Sequence, residues 1–238
     1  QSSEQPFFCL MSIFDPHNPY EGYPTAMADR IDRNRIPKAI QRPDLPACAL
    51  REKQGSYLGN QISDQDIEDM RFGYAASLAF ADDEIGRVLA ALDDSGMAEN
   101  TLVIFLSDHG DSLGDHGLLV KGVAPYDPVV KVPLILRWPG RVAENTRISG
   151  LAQGHDIAAT CLSAAGLSER AADACPASLD LLAVASGASP GHTTAVTAYR
   201  NSGINRDQEP WDPAMNSTMV RDACHKLIAY TMDGDTEL

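Results

Sequence analysis

A short apolar run that empties into a glycine-rich turn constrains this chain more than any other feature. Thr101-Leu102-Val103-Ile104-Phe105-Leu106 is apolar and rich in β-branched residues, with Gly96 and Asn100 before it and glycines after it. That pattern predicts a buried strand. The turn beyond it reads Ser107-Asp108-His109-Gly110-Asp111-Ser112-Leu113-Gly114-Asp115-His116-Gly117, and Lys121 lies a few residues later. Asp108 and His109 are therefore expected at the carboxyl end of a strand. In an open α/β sheet that edge collects ligands, because the loops converge there and helix N-termini aim their dipoles into the crevice.

A carboxylate beside an imidazole offers one hard oxygen and one borderline nitrogen, a pairing that suits calcium, magnesium or manganese once further carboxylates join. Two ligands do not close a site. The same pair also occurs as a turn cap beside a hydrogen-bonded buried histidine. The surroundings favour the metal reading: Gly110, Gly114 and Gly117 let backbone approach a ligand closely, and Lys121 adds a cation.

The stretch Ser107 to Gly122 resembles the second signature region of the sulfatases, members of the alkaline phosphatase superfamily. Phe7 to Phe14, followed by Asp15-Pro16-His17-Asn18-Pro19-Tyr20, is similar to the family's strand and Pro-His-x-Pro-aromatic loop. Arg71 to Leu92 is similar to the long helix before the metal strand, and Tyr126 to Gly140 to the next strand. His155-Asp156-Ile157-Ala158-Ala159-Thr160 is similar to a helix start that often reads Asp-Ile-x-Pro-Thr in relatives. The matched segments run over most of the chain, in order.

The resemblance implies an alkaline-phosphatase-like α/β fold, a mostly parallel sheet flanked by helices with a small antiparallel C-terminal subdomain. Residues 1–205 would form part of the catalytic domain and 206–238 the start of the subdomain. It implies that Asp108 and His109 are metal ligands, that Lys121 binds an oxygen of the transferred sulfuryl group, and that His17 contacts the ester or leaving-group oxygen. His116 is a candidate to approach substrate, while Asp111 and Asp115 order the loop through Asx-type and supporting hydrogen bonds. The implied activity is arylsulfatase-like, metal-assisted hydrolysis of a sulfuric ester. The implied cofactors are a divalent metal, calcium first with manganese and magnesium as alternatives, and a formylglycine nucleophile.

One departure stands against these matches. Family members begin with a strand ending in an Asp-Asp metal pair, and carry a Cys-x-Pro-x-Arg or Ser-x-Pro-x-Arg segment whose Cys or Ser becomes formylglycine. None of Cys9, Cys48, Cys161, Cys175 and Cys224 is followed by x-Pro-x-Arg. Asp82-Asp83 falls inside a helical pattern and reads as a polar helix face. With its abrupt start and end, the sequence reads as a fragment lacking the nucleophile region and a short C-terminal piece, inactive alone. Two alternatives stay open: a phosphonate monoester hydrolase or phosphodiesterase of the same superfamily, and a non-catalytic scaffold or partner-binding module with a relic metal site.

Along the chain, Phe7 to Phe14 reads as a strand and residues 15–62 as a long proline-rich loop, which the resemblance implies helps frame the substrate pocket. Ser63 with Asp66 predicts a helix start, and Ile67, Met70, Tyr74, Leu78, Ala81, Ile85, Val88 and Leu92 recur at helical spacing up to Gly96. Val132 to Arg137 and Thr193 to Tyr199 read as strands. Asp156 is expected to cap a helix that Gly166 ends. Ser217 to Arg221 and His225 to Thr231 predict an antiparallel hairpin.

Lys and Arg number 19 against 33 Asp and Glu, a net charge of −14 in 238 residues. That balance opposes a nucleic-acid partner. It does not oppose a small-molecule sulfate or phosphonate ester, because a metal with Lys121 and His17 makes a locally positive pocket. No apolar run approaches the about 20 residues needed to span a bilayer. Assembly into a homo-oligomer is compatible with the sequence. Five cysteines without close spacing oppose a disulfide scaffold and point to a reducing compartment; cytoplasm and periplasm both stay open because a signal peptide would fall in the part expected to be missing. Cys9 and Cys161 are expected as small core hydrophobes.

Overall fold

The computed structural model describes residues 5–42, 44–55, 62–200, 209–210, 212, 214–232 and 235–237. The helices are α1 (Thr25–Ala28), α2 (Ala47–Gly55), α3 (Asp64–Asp94), α4 (Asp127–Val130), α5 (Asp156–Ala164), α6 (Ser168–Ala174) and α7 (Leu181–Ala185). The strands are β1 (Val103–Leu106), β2 (Leu134–Arg137), β3 (Ala195–Arg200), β4 (Met215–Arg221), β5 (Lys226–Met232) and β6 (Asp235–Glu237). Two compact units divide the chain, residues 1–38 with 63–91 and residues 39–62 with 92–238.

In the first unit the predicted start of α3 is a reciprocal cap. The Asp66 amide donates to Ser63 Oγ at 3.1 Å and the Ser63 amide donates to Asp66 Oδ2 at 2.8 Å, satisfying donors that a helix start leaves open. The buried face of α3 differs from the apolar stripe read in the sequence. It is Phe72, Gly73, Ala76, Ser77 and Ala81, whereas Leu78 and Val88 are exposed. Small residues win that face because they admit close neighbours. Asp83 pairs with Arg30 at 2.6 Å and Asp69 with Arg33 at 2.6 Å, so Asp82-Asp83 is a helix face, as expected.

The strand expected over Phe7 to Phe14 is not formed. The segment carries no ladder among the described residues, and Phe7, Phe8, Leu10 and Phe14 are exposed, Phe8 at 79%. Cys9 is exposed with them, not a core hydrophobe; Cys48 is the buried cysteine and Cys161 is partly buried. Apolar, β-favouring residues supply a strand's faces, but only a paired neighbour supplies its hydrogen bonds.

In the second unit β1 forms where a strand was predicted and pairs antiparallel with β2, Val103 opposite Arg137 and Leu106 opposite Leu134, but it is not the buried strand expected, since Phe105 and Leu106 are exposed. The predicted hairpin is β4 and β5, inside a four-stranded antiparallel sheet ordered β3-β4-β5-β6. Every strand pair among the described residues is antiparallel, so the expected parallel ladders are not built by these strands. The expected boundary at 205–206 lies outside the described residues. The reading of 15–62 as loop also needs correction: it holds α1, a 3₁₀ turn at Arg33–Arg35 and the nine-residue α2.

α2 is central to the packing of this unit. Its Cys48 packs with Val123, Met215 and Tyr230, and its Ala49 with Leu118, Ala124 and Tyr126. The core therefore joins α2, the segment after the glycine-rich turn, and the hairpin β4-β5.

Candidate metal and anion site

β1 ends at Leu106 and delivers Ser107, Asp108 and His109 into the turn. Gly110 is required where it stands, because its amide donates to Val129 O at 2.7 Å and a Cβ would run into the Pro128 carbonyl. His109 Nδ1 lies 2.8 Å from Gly110 O. Against a carbonyl the ring nitrogen must donate, so Nδ1 carries the proton and Nε2 of the neutral ring presents its lone pair. That Nε2 is 3.7 Å from Asp108 Oδ2, and the Asp108 side chain is 88% exposed. One carboxylate oxygen and one imidazole lone pair on adjacent residues form a donor set that fits a hard divalent ion.

The turn then closes on itself. The Ser112 amide donates to Val120 O at 2.9 Å and the Gly114 amide to Leu118 O at 2.9 Å. Asp111 Oδ1 accepts from the Leu113 amide at 2.9 Å, an Asx turn as expected. Asp115 Oδ1 accepts from the Ile40 amide at 2.9 Å, while the His116 amide donates to Ile40 O at 2.5 Å. Leu113, His116 and Val120 hold positive φ of 45°, 59° and 53°. Such angles cost a non-glycine residue about 1–3 kcal/mol each, and strain of this kind concentrates where a loop must present groups in a fixed pose. Val120, β-branched, immediately precedes Lys121, which is exposed. His116 Nδ1 is buried with no hydrogen-bond partner among the described residues, its ring edge-on to Tyr126 at 5.0 Å.

Sequence reading missed what holds this loop. α2 places Glu52 against Gly122, where a Cβ would clash with the carboxylate, and both Glu52 oxygens accept from the Val123 amide at 3.0 and 3.2 Å. Burial pushes the Glu52 carboxyl up to about 7, against the pull of the Val123 hydrogen bond. Lys53, next on the helix, lies against Gly117. From the other side, Ser217 of β4 donates to Val123 O at 2.5 Å, and Arg221 and Lys226 reach Asp127 at 3.0 and 2.6 Å. Burial opposes ionisation of Asp127, but Lys226 and Arg221 outweigh it and hold the carboxyl below its ordinary range. α2 lacks a strong apolar period, burying only Cys48 and Ala49, so little in the sequence marked it.

His17 belongs to the first unit. Its Nδ1 is 2.8 Å from Asn18 O and its ring packs on Phe14 at 4.8 Å; the flanking Asp15-Pro16 and Asn18-Pro19 bonds are cis. With Nδ1 donating to a carbonyl, Nε2 gives up a proton only from the imidazolium form.

The sequence model of the Sulfatase family matches residues 1–167, more than half of the chain. The chain belongs to the sulfatase family. It is 34% identical over 158 residues to the iduronate 2-sulfatase of Mus musculus, covering 60% of this chain and 28% of that protein. Among solved structures it resembles one described as a sulfatase from Bacteroides fragilis, with a TM-score of 0.68 at 20% identity over 94% of this chain and 44% of that one. A phosphonate monoester hydrolase from Silicibacter pomeroyi is also similar, with a TM-score of 0.63 at 19% identity over 92% and 47%. These likenesses show the sulfatase α/β fold. The chain spans 28% to 34% of the length of three curated relatives that it matches. Among the described residues no helix is long and apolar enough to cross a membrane.

The same unit holds a second imidazole–carboxylate group that sequence reading treated only as a helix start. Asp156 was expected to cap α5; it is instead the first helical residue, and His155 occupies the cap position without a capping bond. Its carboxylate is turned away from that role, accepting from the amides of Gln153 and Leu179, each at 2.8 Å, and facing His192. His192 comes 36 positions later, so no local motif signalled it. Gly166, with φ of 76°, ends this helical stretch as predicted.

Proposed function

We propose that the chain supplies the metal and sulfuryl-binding half of a sulfuric ester hydrolase, arylsulfatase-like in its chemistry. The observation that carries this reading is the Asp108-His109 pair at the end of β1, with its donor atoms 3.7 Å apart and the His109 tautomer fixed by Gly110 O, in a chain of the sulfatase family.

Asp108 and His109 would hold the divalent metal, calcium first and manganese or magnesium next. Bound there, the metal would neutralise charge on the sulfuryl oxygens. The formylglycine nucleophile expected for the family would supply the attacking oxygen.

The chain's own residues do the rest. Lys121 places an ammonium on an oxygen of the sulfuryl group, where negative charge must be matched as the S–O ester bond breaks. Its position is set by the strained Val120 before it and by Gly122, pinned under Glu52, after it. The departing oxygen needs a proton as it leaves, and the role proposed for His17 is to provide it. His116 is the further candidate to approach substrate, with the ring face away from its buried Nδ1. The proposed substrate is a small-molecule sulfate ester.

The likeness to a phosphonate monoester hydrolase favours a second reading, phosphoryl or phosphonyl transfer on the same scaffold. Assaying the intact protein with aryl sulfate and aryl phosphonate esters separates the two. A higher kcat/KM for the sulfate is expected; preference for the phosphonate would replace the first reading by the second. No ester hydrolysis and no bound metal would leave a non-catalytic scaffold.

A further inference from the structure

We infer that His155, Asp156 and His192 form a second metal site, one that takes a borderline divalent transition ion of the zinc class. Each residue offers one ligand atom, and these atoms all lie within 4.8 Å of one another. His192 Nε2 is 2.9 Å from Asp156 Oδ1 and 3.0 Å from Oδ2, and His155 Nε2 is 3.6 Å from Oδ1. Ligand atoms of a tetrahedral zinc ion, bound at about 2.0–2.2 Å, lie roughly 3.4 Å apart. The observed spacings bracket that figure. The two imidazole nitrogens lie within 4.8 Å of each other, so the ion would draw the exposed His155 ring inward as it entered, and its ligands must bind deprotonated.

Three features distinguish this group from a chance surface cluster. The Asp156 side chain is 0% exposed, and a carboxylate taken that far from water is stabilised by hydrogen bonds and by a cation beside it. Both its oxygens are aimed by backbone donors, Gln153 N on one and Leu179 N on the other, the kind of support that orients carboxylate ligands. His192 is 14% exposed and held by its amide, which donates to Leu151 O at 3.3 Å.

Access is provided as well. The His155 side chain is 47% exposed, and His192 borders a cleft of about 390 Å³, so a hydrated ion can reach the group. Three protein ligands leave the fourth position to water. Two nitrogens and one oxygen select the zinc class over calcium, which prefers six or more oxygens. Nothing in this inference depends on the hydrolytic reading of the Asp108-His109 site.

The test is calorimetric titration of chelator-stripped intact protein with Zn2+, then with Co2+ as a spectroscopic probe. One saturable Zn2+ site is expected that persists in the Asp108→Ala/His109→Ala double variant. His155→Ala, on a half-exposed side chain, should weaken it at least tenfold, and His192→Ala should abolish it. Co2+ should show the visible bands of a four-coordinate nitrogen–oxygen site. Equal Zn2+ affinity in His155→Ala and the parent, no saturable binding, or a Co2+ spectrum with thiolate charge transfer would overturn the assignment.

Discussion

Asp108-His109 and Asp156-His192 pair the same two residue types in one compact unit, yet they are built in opposite ways. Asp108 stands 88% exposed, with one hydrogen bond to Oδ1 from the amide of His109. Asp156 is fully buried and takes two backbone amides and an imidazole. The first pair is open to solvent, as the proposed hard ion would need in order to gather oxygens from elsewhere. The second gathers its donors from this chain alone and ties α5 to the segments around Leu179 and His192. An Asp-His match in a sequence is therefore ambiguous until burial and lone-pair occupancy are known.

Substitution should expose that contrast directly, and the largest effect belongs to the buried pair. Asp156→Ala leaves two amides and an imidazole unsatisfied in the interior and is expected to cost about 3–5 kcal/mol of stability. Asp108→Ala should stay within about 0.5 kcal/mol, as exposed substitutions do. Urea unfolding of both variants checks this, and equal losses would erase the distinction.

The open pair depends on a loop whose support carries a pH signature. Glu52 is raised to about 7 in the fold from a reference of 4.5, so between these values the folded state binds more protons than the unfolded chain. Its contribution is fully present below about pH 4.5 and lost as pH rises through about 7, a span of about 3 kcal/mol. Glu52→Gln, which keeps an acceptor for the Val123 amide, should flatten that slope in unfolding measured from pH 5 to 8. An unchanged slope would mean that Glu52 does not tie the loop to α2 in this way.

A smaller effect lies where the loop meets the C-terminal hairpin. Lys226→Met leaves Asp127 with Arg221 alone and should cost about 0.5–1 kcal/mol at neutral pH, since the pair is partly exposed. Because the Asp127 carboxyl is depressed in the fold, its stabilising contribution is present above its reference value of 3.8 and lost as pH falls below it. The difference between parent and variant should therefore shrink in acid and in high salt. Melting curves at several pH values and salt concentrations measure it.

Much of this was legible in the sequence, for identifiable reasons. β1, the cap of α3 and the β4-β5 hairpin rest on local patterns: a bounded apolar run, a Ser63-Asp66 reciprocal cap, two alternating runs about a turn. What failed was non-local. Phe7 to Phe14 has the composition of a strand without a ladder partner among the described residues. The packed face of α3 was set by small side chains rather than by the largest apolar ones. Glu52 and His192 reach their partners across 71 and 36 positions, and no spacing rule joins them. The roles of Asp108, His109, Lys121, His17 and His116 came from resemblance and remain proposals.

The measurement that tests the proposed chemistry most directly is turnover of an aryl sulfate by Lys121→Ala in the intact protein, alongside its melting temperature. A fall in kcat of roughly 10²–10³ is expected, the scale of losing one charge-stabilising group at a reacting oxygen, with melting unchanged because the side chain is exposed. Turnover equal to the parent's would contradict the proposal, and Lys121 would then be a loop lysine beside a site that works without it.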